Sequence, residues 1–193
     1  MKLYFIRHGQ TDWNEAGKIQ GSCDIELNYH GLKQAEDLGR KLTEDGYPIT
    51  AIYSSKQKRA LQTADIIGQS LDLKAKAIEG LQEVNLGHWE GLSWSQVKDY
   101  YPFEYEEWYH NRRYAKPHQG EAYQEVVERA MRSVLKITQE NTGDVAIITH
   151  NAVIMCLQCY LTDTPFDQMI NFKSGNTALS IIDSAIFQKK QYL

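Results

Sequence analysis

The chain has 193 residues, 42% of them hydrophobic and 24% charged, with a net charge of −4 and a pI near 5.9. This is the mix of a soluble globular protein, long enough for one domain over residues 1–193 with a real core. Without a basic run it is a poor partner for nucleic acid or for anionic membranes. Three cysteines are too few, and odd in number, for a disulfide scaffold. The apolar runs fall short of a signal peptide or a membrane span, so the expected location is the cytoplasm.

Along the chain, Leu3–Ile6 is a short apolar run bounded by polar residues and is expected to be a buried strand. Leu32, Ala35, Leu38 and Leu42 carry helical spacing through Tyr29–Leu42. Ala51–Tyr53 is a second strand, ending at Ser54-Ser55. Gln57–Leu71 is a helix with Ala60, Leu61, Ala64, Ile67 and Leu71 on its apolar face, and Leu73–Ile78 a short edge strand. Leu81–Leu92, punctuated by glycine, is a loop. Tyr100–Tyr114 breaks the rhythm with seven aromatic residues among glutamates, and a cap-like excursion is expected over about 94–118. Glu121–Glu140 is a long amphipathic helix, Val145–Thr149 a buried strand and Asn151–Leu161 a helix. Two final strands are expected at Ala178–Ile182 and Ala185–Gln188. Strands alternating with helices predict an α/β protein, three layers deep, with a mostly parallel central sheet.

In such sheets ligands bind beyond the carboxyl ends of the strands. The first strand runs into Arg7-His8-Gly9, the second into Ser54-Ser55 with Arg59 just after, and Val145–Thr149 into His150-Asn151. Two histidines and two arginines thus fall on one rim. Guanidinium groups match the charged oxygens of a phosphoryl group with forked donors. A neutral imidazole is a competent nucleophile, and neighbouring arginines favour its neutral form. Asn14 and the amides of the Gly9 loop add uncharged donors, although Asn14 would serve equally as a turn or cap residue. Glu83, in a loop between apolar residues, is the candidate acid for the leaving group, with Glu79 and Glu90 as alternatives.

The opening stretch Leu3 to Asn14 closely resembles the histidine phosphatase superfamily in its phosphoglycerate-mutase-like branch. The resemblance continues in order through Gln20-Gly21, Asp24, Leu27-Asn28, Gly31, Gln34-Ala35, Tyr53-Ser54-Ser55, Arg59-Ala60, Gln62-Thr63-Ala64, Leu81 to Leu92, Gly120-Glu121, Arg129 and Thr149-His150-Asn151. It implies His8 as the phosphorylated nucleophile and Arg7, Arg59 and His150 as ligands of the phosphoryl oxygens. It further implies Asn14 as a positioning group, Glu83 as acid and then base, and no metal or cofactor. Gln20, Gly21, Ser22, Asn151, Arg112 and Arg113 are further candidates for substrate contact. Asn151 stands where the family usually has glycine, and Ala122 where serine is common.

Gly87-His88-Trp89-Glu90-Gly91 looks like the phosphatase members, so hydrolysis of a small phosphate ester is the expected activity. The alternatives are a phosphoglycerate mutase, suggested by the pair Arg112-Arg113, and a non-catalytic phospholigand-binding module. Cys156-x-x-Cys159 falls in an apolar helical pattern and is expected in the core rather than at a redox or metal site.

Overall fold

The first strand, β1 (Lys2–Arg7), buries Leu3, Tyr4, Phe5 and Ile6 almost completely on both of its faces. Only a central strand does this, and β1 lies between β4 (Asp144–Thr149) and β5 (Leu179–Asp183) in a five-stranded sheet ordered β3-β2-β4-β1-β5. The other members are β2 (Ile49–Ser55) and the edge strand β3 (Ala75–Ile78). All neighbours run parallel except β5, which is antiparallel to β1. The structure, a computed structural model, describes residues 1–190; the last three residues of the expected 1–193 domain lie outside it.

Side chains of each buried strand alternate between two cores. Tyr4, Ile6, Ile52, Ala146 and Ile148 meet Leu42 of α2 (Tyr29–Glu44) and Ala60, Ala64 and Ile67 of α3 (Lys58–Leu71). Leu3, Phe5, Tyr53, Val145 and Ile147 meet the opposite layer of α6 (Tyr123–Glu140), α7 (Asn151–Leu161) and α8 (Ser184–Lys190). The expected three-layer α/β architecture is therefore present. Cys156 and Cys159 are buried in α7 within this second core, as expected, and burial pushes the Cys159 thiol up to about 11.

The excursion forms two short helices, α4 (Trp94–Tyr100) and α5 (Pro102–His110), after a one-turn helix α1 (Asp12–Glu15) near the N-terminus and a 3₁₀ turn at Gly87–Trp89. Trp108 anchors it. Its ring stacks on Trp94 at 5.3 Å and meets Trp89 edge-on at 5.3 Å and Tyr123 of α6 at 5.8 Å. Trp89 is a core residue with no exposed surface, while Trp94 is half open.

One expected element is wrong. Ala185–Gln188 is not a strand but part of α8. A four-residue apolar run does not separate strand from helix by periodicity. Here Ser184 and Phe187, three apart, are the buried pair, Asp183 Oδ1 accepts from the Ala185 amide, and Phe187 stacks on Phe5 at 5.9 Å. A second 3₁₀ segment, Phe166–Phe172, packs against α7; it was not anticipated.

Ala122 occupies the N-cap of α6 in extended backbone geometry, and no side chain caps the helix amides from that position. Replacing it with serine supplies the missing acceptor, so Ala122→Ser should stabilise the protein by about 1 kcal/mol in denaturant unfolding. An unchanged or lowered midpoint would show that the buried site has no room for the hydroxyl.

Candidate active site

Strand register brings the two histidines together. Arg7 at the end of β1 pairs with Thr149 at the end of β4, so His8 and His150 leave the sheet side by side, their rings 5.2 Å apart. The His8 amide donates to the Thr149 carbonyl (3.0 Å), and Asn176 Nδ2 donates to the His8 carbonyl (2.9 Å). The loop that follows needs glycine. A Cβ on Gly9 would sit 2.6 Å from the Gly31 carbonyl oxygen, so the turn packs backbone to backbone on the first turn of α2. The Gly9 amide donates to Thr63 Oγ1 (3.0 Å).

The His8 imidazole is 3% exposed, and Nδ1 lies 2.7 Å from the Gly9 carbonyl oxygen. A carbonyl only accepts, so Nδ1 carries the proton and Nε2 keeps its lone pair. Burial, then the charges of Arg59 and Arg7, hold this ring well below the ordinary histidine range; the bond to Gly9 opposes them without prevailing. His8 is therefore a neutral imidazole with a bare Nε2, a form able to act as a nucleophile.

Arg59 on the first turn of α3 has no exposed surface. Nη1 donates to the Cys23 carbonyl (2.6 Å) and Nη2 to the Gly21 carbonyl (2.8 Å), and Nε has no partner. Arg7 donates through Nη1 to the Ser174 carbonyl (2.6 Å), again with Nε unpartnered. His150 has no exposed surface; Nε2 lies 2.8 Å from Ser55 Oγ and Nδ1 is unpartnered. Three buried, unsatisfied polar atoms around His8 are costly unless a ligand fills them.

Glu83 faces the same cleft. Its Oε2 accepts from the Ala152 amide at the start of α7 (3.3 Å) and Oε1 from the Val84 amide (3.0 Å). Burial raises its pKa, and this outweighs the opposing pull of Arg59, the two amides and Arg7. A carboxyl beside two guanidiniums yet biased toward its protonated form is suited to giving up a proton as a reaction proceeds. The alternatives have other positions. Glu79 is exposed and paired with Lys56 and Gln82. Glu90 binds the Ser22 and Leu86 amides, Ser22 Oγ and Cys23 Sγ, clamping one loop to another.

The Glu83 loop is pinned from behind. Gln57 accepts from the Glu83 amide (2.7 Å) and donates to the Gly21 carbonyl (2.9 Å). Arg129 of α6 forms a two-pronged pair with Glu121 (2.7 and 2.9 Å) and donates to the carbonyls of Gly80, Gln82 and Glu83. Its planar fork is what lets one side chain hold five acceptors.

The cleft, about 470 Å³, is lined by Arg7, His8, Asn14, Gln20, Gly21, Arg59, Glu83, Asn151 and Arg112 among the sequence candidates. His150 is fully buried and is not part of the cleft lining, its ring lying beside that of His8. Two candidates fall elsewhere. Ser22 is exposed and held by Glu90. Arg113 turns away from its neighbour Arg112: Nε donates to Gln124 (2.7 Å), and the guanidinium lies over the rings of Tyr160 and Phe166. Adjacent residues in a turn project to opposite sides, so Arg112-Arg113 is not a pair at the site. Arg112 instead lies over Trp108, 4.4 Å from its centroid, with Nε unpartnered. Asn14 has both roles considered for it. It lines the cleft, and its Oδ1 accepts from Thr11 in the cap of α1. Asn151 accepts from the Ser174 amide, tying the segment after Phe166–Phe172 to the cleft rim.

Sequence reasoning missed that segment. Met169, Ile170 and Lys173 line the cleft, and Ser174 and Asn176 bind Arg7 and His8. Its one signal was position, between the α7 pattern and the last strand.

The family model of the histidine phosphatase superfamily, branch 1, matches residues 3–189. A metal-independent phosphoserine phosphatase of Arabidopsis thaliana is 30% identical over 83% of this chain and 68% of its own length. Phosphoglycerate mutase-like protein 4 of the same plant is 32% identical over 81% of this chain and 69% of its own. Among solved structures, a mycobacterial glucosyl-3-phosphoglycerate phosphatase in complex with VO3 superposes with a TM-score of 0.84 at 27% identity, covering 94% of this chain and 90% of that one.

Proposed function

The chain belongs to the histidine phosphatase superfamily, branch 1, and from that premise we propose that it is a phosphatase acting through a phosphohistidine on His8. One observation carries the mechanism. A neutral imidazole with a bare Nε2 shares a cleft with two guanidiniums, that of Arg59 fully buried and that of Arg7 partly so, and a carboxyl biased toward protonation.

In the first step His8 Nε2 attacks phosphorus and the P–O ester bond breaks. Glu83 gives its proton to the leaving oxygen, and the alcohol departs. In the second step water attacks phosphorus, Glu83 takes back a proton, and the N–P bond breaks to release inorganic phosphate. Arg7, Arg59 and His150 hold the phosphoryl oxygens throughout, with Asn14 beside them.

The outer cleft favours a substrate with a second acidic group. Lys18, Arg112 and Lys173 line it, and Glu83 is the one acidic side chain on its wall among the described residues. Trp94, Tyr105 and Trp108 add an aromatic shelf. The curated and solved relatives named for phosphoserine and for a glucosylated phosphoglycerate fit that chemistry. No helix of the described residues is long and apolar enough to cross a membrane, and three free thiols support placing the protein in the cytoplasm.

The test is a panel of phosphomonoesters assayed with EDTA present, following phosphate release and isomerisation separately. Hydrolysis of carboxylated esters is expected to lead. Arg112→Ala should raise their KM about tenfold and leave p-nitrophenyl phosphate within about twofold, as loss of one charge-assisted contact implies. Phosphoglycerate isomerised faster than hydrolysed would overturn the phosphatase reading in favour of a mutase. Tight binding of esters without turnover on any of them would favour the non-catalytic module.

A further inference from the structure

His8 and His150 are both buried and both held below the ordinary histidine range, His150 chiefly by burial and then by Arg59 and His8. Each neutral ring carries one proton, and which nitrogen holds it decides what the ring can do. In His8 the Gly9 carbonyl settles the matter. In His150 the partner is a hydroxyl, Ser55 Oγ, which can either give or accept.

Ser55 ends β2 beside the end of β4 and has no exposed surface. Its oxygen already accepts from the Gln57 amide (3.3 Å). Its one hydrogen needs an acceptor, and among the described residues His150 Nε2 at 2.8 Å is the acceptor at hydrogen-bond distance. In the opposite arrangement His150 would donate to Oγ. The hydroxyl would then accept twice while its own hydrogen stayed buried without a partner, a cost of roughly 1–3 kcal/mol. That arrangement would also leave a lone pair on Nδ1, which repels an incoming phosphoryl oxygen.

We propose that Ser55 is a positioning residue: its hydroxyl donates to His150 Nε2 and so fixes the proton on His150 Nδ1, making that ring a neutral hydrogen-bond donor to the phosphoryl group. The unpartnered Nδ1 beside His8 is the atom this leaves for the ligand. The two histidines thus reach opposite roles by the same means. In each, the bond made by one nitrogen sets the state of the other: a carbonyl leaves His8 Nε2 bare to attack, and a hydroxyl leaves His150 Nδ1 protonated to donate. The inference rests on the phosphatase reading for its purpose, but the tautomer is a property of the resting protein.

Long-range proton–nitrogen correlation spectra of ¹⁵N-histidine-labelled protein distinguish the two neutral tautomers directly. His150 is identified by the signals lost in His150→Gln. In the wild type, between pH 6 and 8, the His150 ring should show a protonated Nδ1 and a bare Nε2, and inorganic phosphate should shift the Nδ1 proton downfield. Ser55→Ala should move the ring toward the other tautomer. It should lower kcat about 10–100-fold, by analogy with loss of the hydrogen-bond partner that orients a metal-ligating histidine, with KM changed less than about threefold. Ser55→Thr should restore both readouts. A wild-type His150 protonated at Nε2 overturns the proposal, as does Ser55→Ala with an unchanged tautomer and kcat. Should Ser55→Ala fail to fold, the wild-type spectrum still decides. A protein inactive on every ester would sink the phosphatase reading while leaving the tautomer to be read.

Discussion

Replacing His8 with alanine should lower turnover of every phosphomonoester by at least about three orders of magnitude, the scale on which loss of a covalent nucleophile acts. Binding of inorganic phosphate should survive, because Arg7, Arg59 and His150 remain. The two effects separate chemistry from binding, and alkali-quenched protein from the wild type, but not the variant, should carry a phosphate that is stable in base and lost in acid. Full activity in His8→Ala would end the mechanism. The variant should also change stability with pH. Histidines in the unfolded chain bind protons below about 6.5, whereas folded His8 and His150 resist them. Between that value and their own depressed ones the unfolded state holds more protons, so wild-type stability falls as pH falls. Removing His8 removes its share, and the loss of unfolding midpoint from pH 7 to pH 5 should be smaller in the variant.

Glu83→Gln should lower kcat for alkyl phosphates about 10²–10⁴-fold, the range general acid catalysis covers. For p-nitrophenyl phosphate, whose leaving group departs without a proton, the first step should be nearly unaffected. Water attack would still lack its base, so a burst of one nitrophenolate per protein followed by slow turnover is expected. The pH profile carries the sign. An acid works while protonated, and burial has raised this carboxyl, so wild-type activity on alkyl esters should fall as pH rises through the raised value. Glutamine should abolish that limb. A variant with a wild-type burst-free rate would move the acid's role elsewhere.

These two residues were legible to different degrees. His8 stands at the end of an apolar run that any reading makes a strand, and ligands gather at such ends. Glu83 sat in a glycine-punctuated loop with Glu79 and Glu90 within seven residues, and one dimension offers no way to choose among them. Only the fold separates them: backbone amides of α7 and Val84 hold Glu83 in the cleft, Lys56 holds Glu79 at the surface, and Ser22 holds Glu90 between two loops. Arg112 and Arg113 show the same limit. The sequence presents a pair, and a turn sends one to the cleft and the other onto Tyr160. The final apolar run was misread because four residues do not carry a period, and its burial was set by Phe5 across the fold.

By itself the sequence determined the layered α/β architecture, the rim that holds Arg7, His8, Arg59 and His150, and the family. The reason is that hydrophobic period, strand ends and residue chemistry are local properties, readable within a few positions. The tertiary structure decided which carboxylate and which arginine line the cleft, that Met169 to Asn176 closes one side of it, and which partner each of two neighbouring imidazoles meets. Each of these depends on a partner far away in sequence, such as Ser174 for Arg7 or Ser55 for His150, and such contacts exist only once the strands are in register.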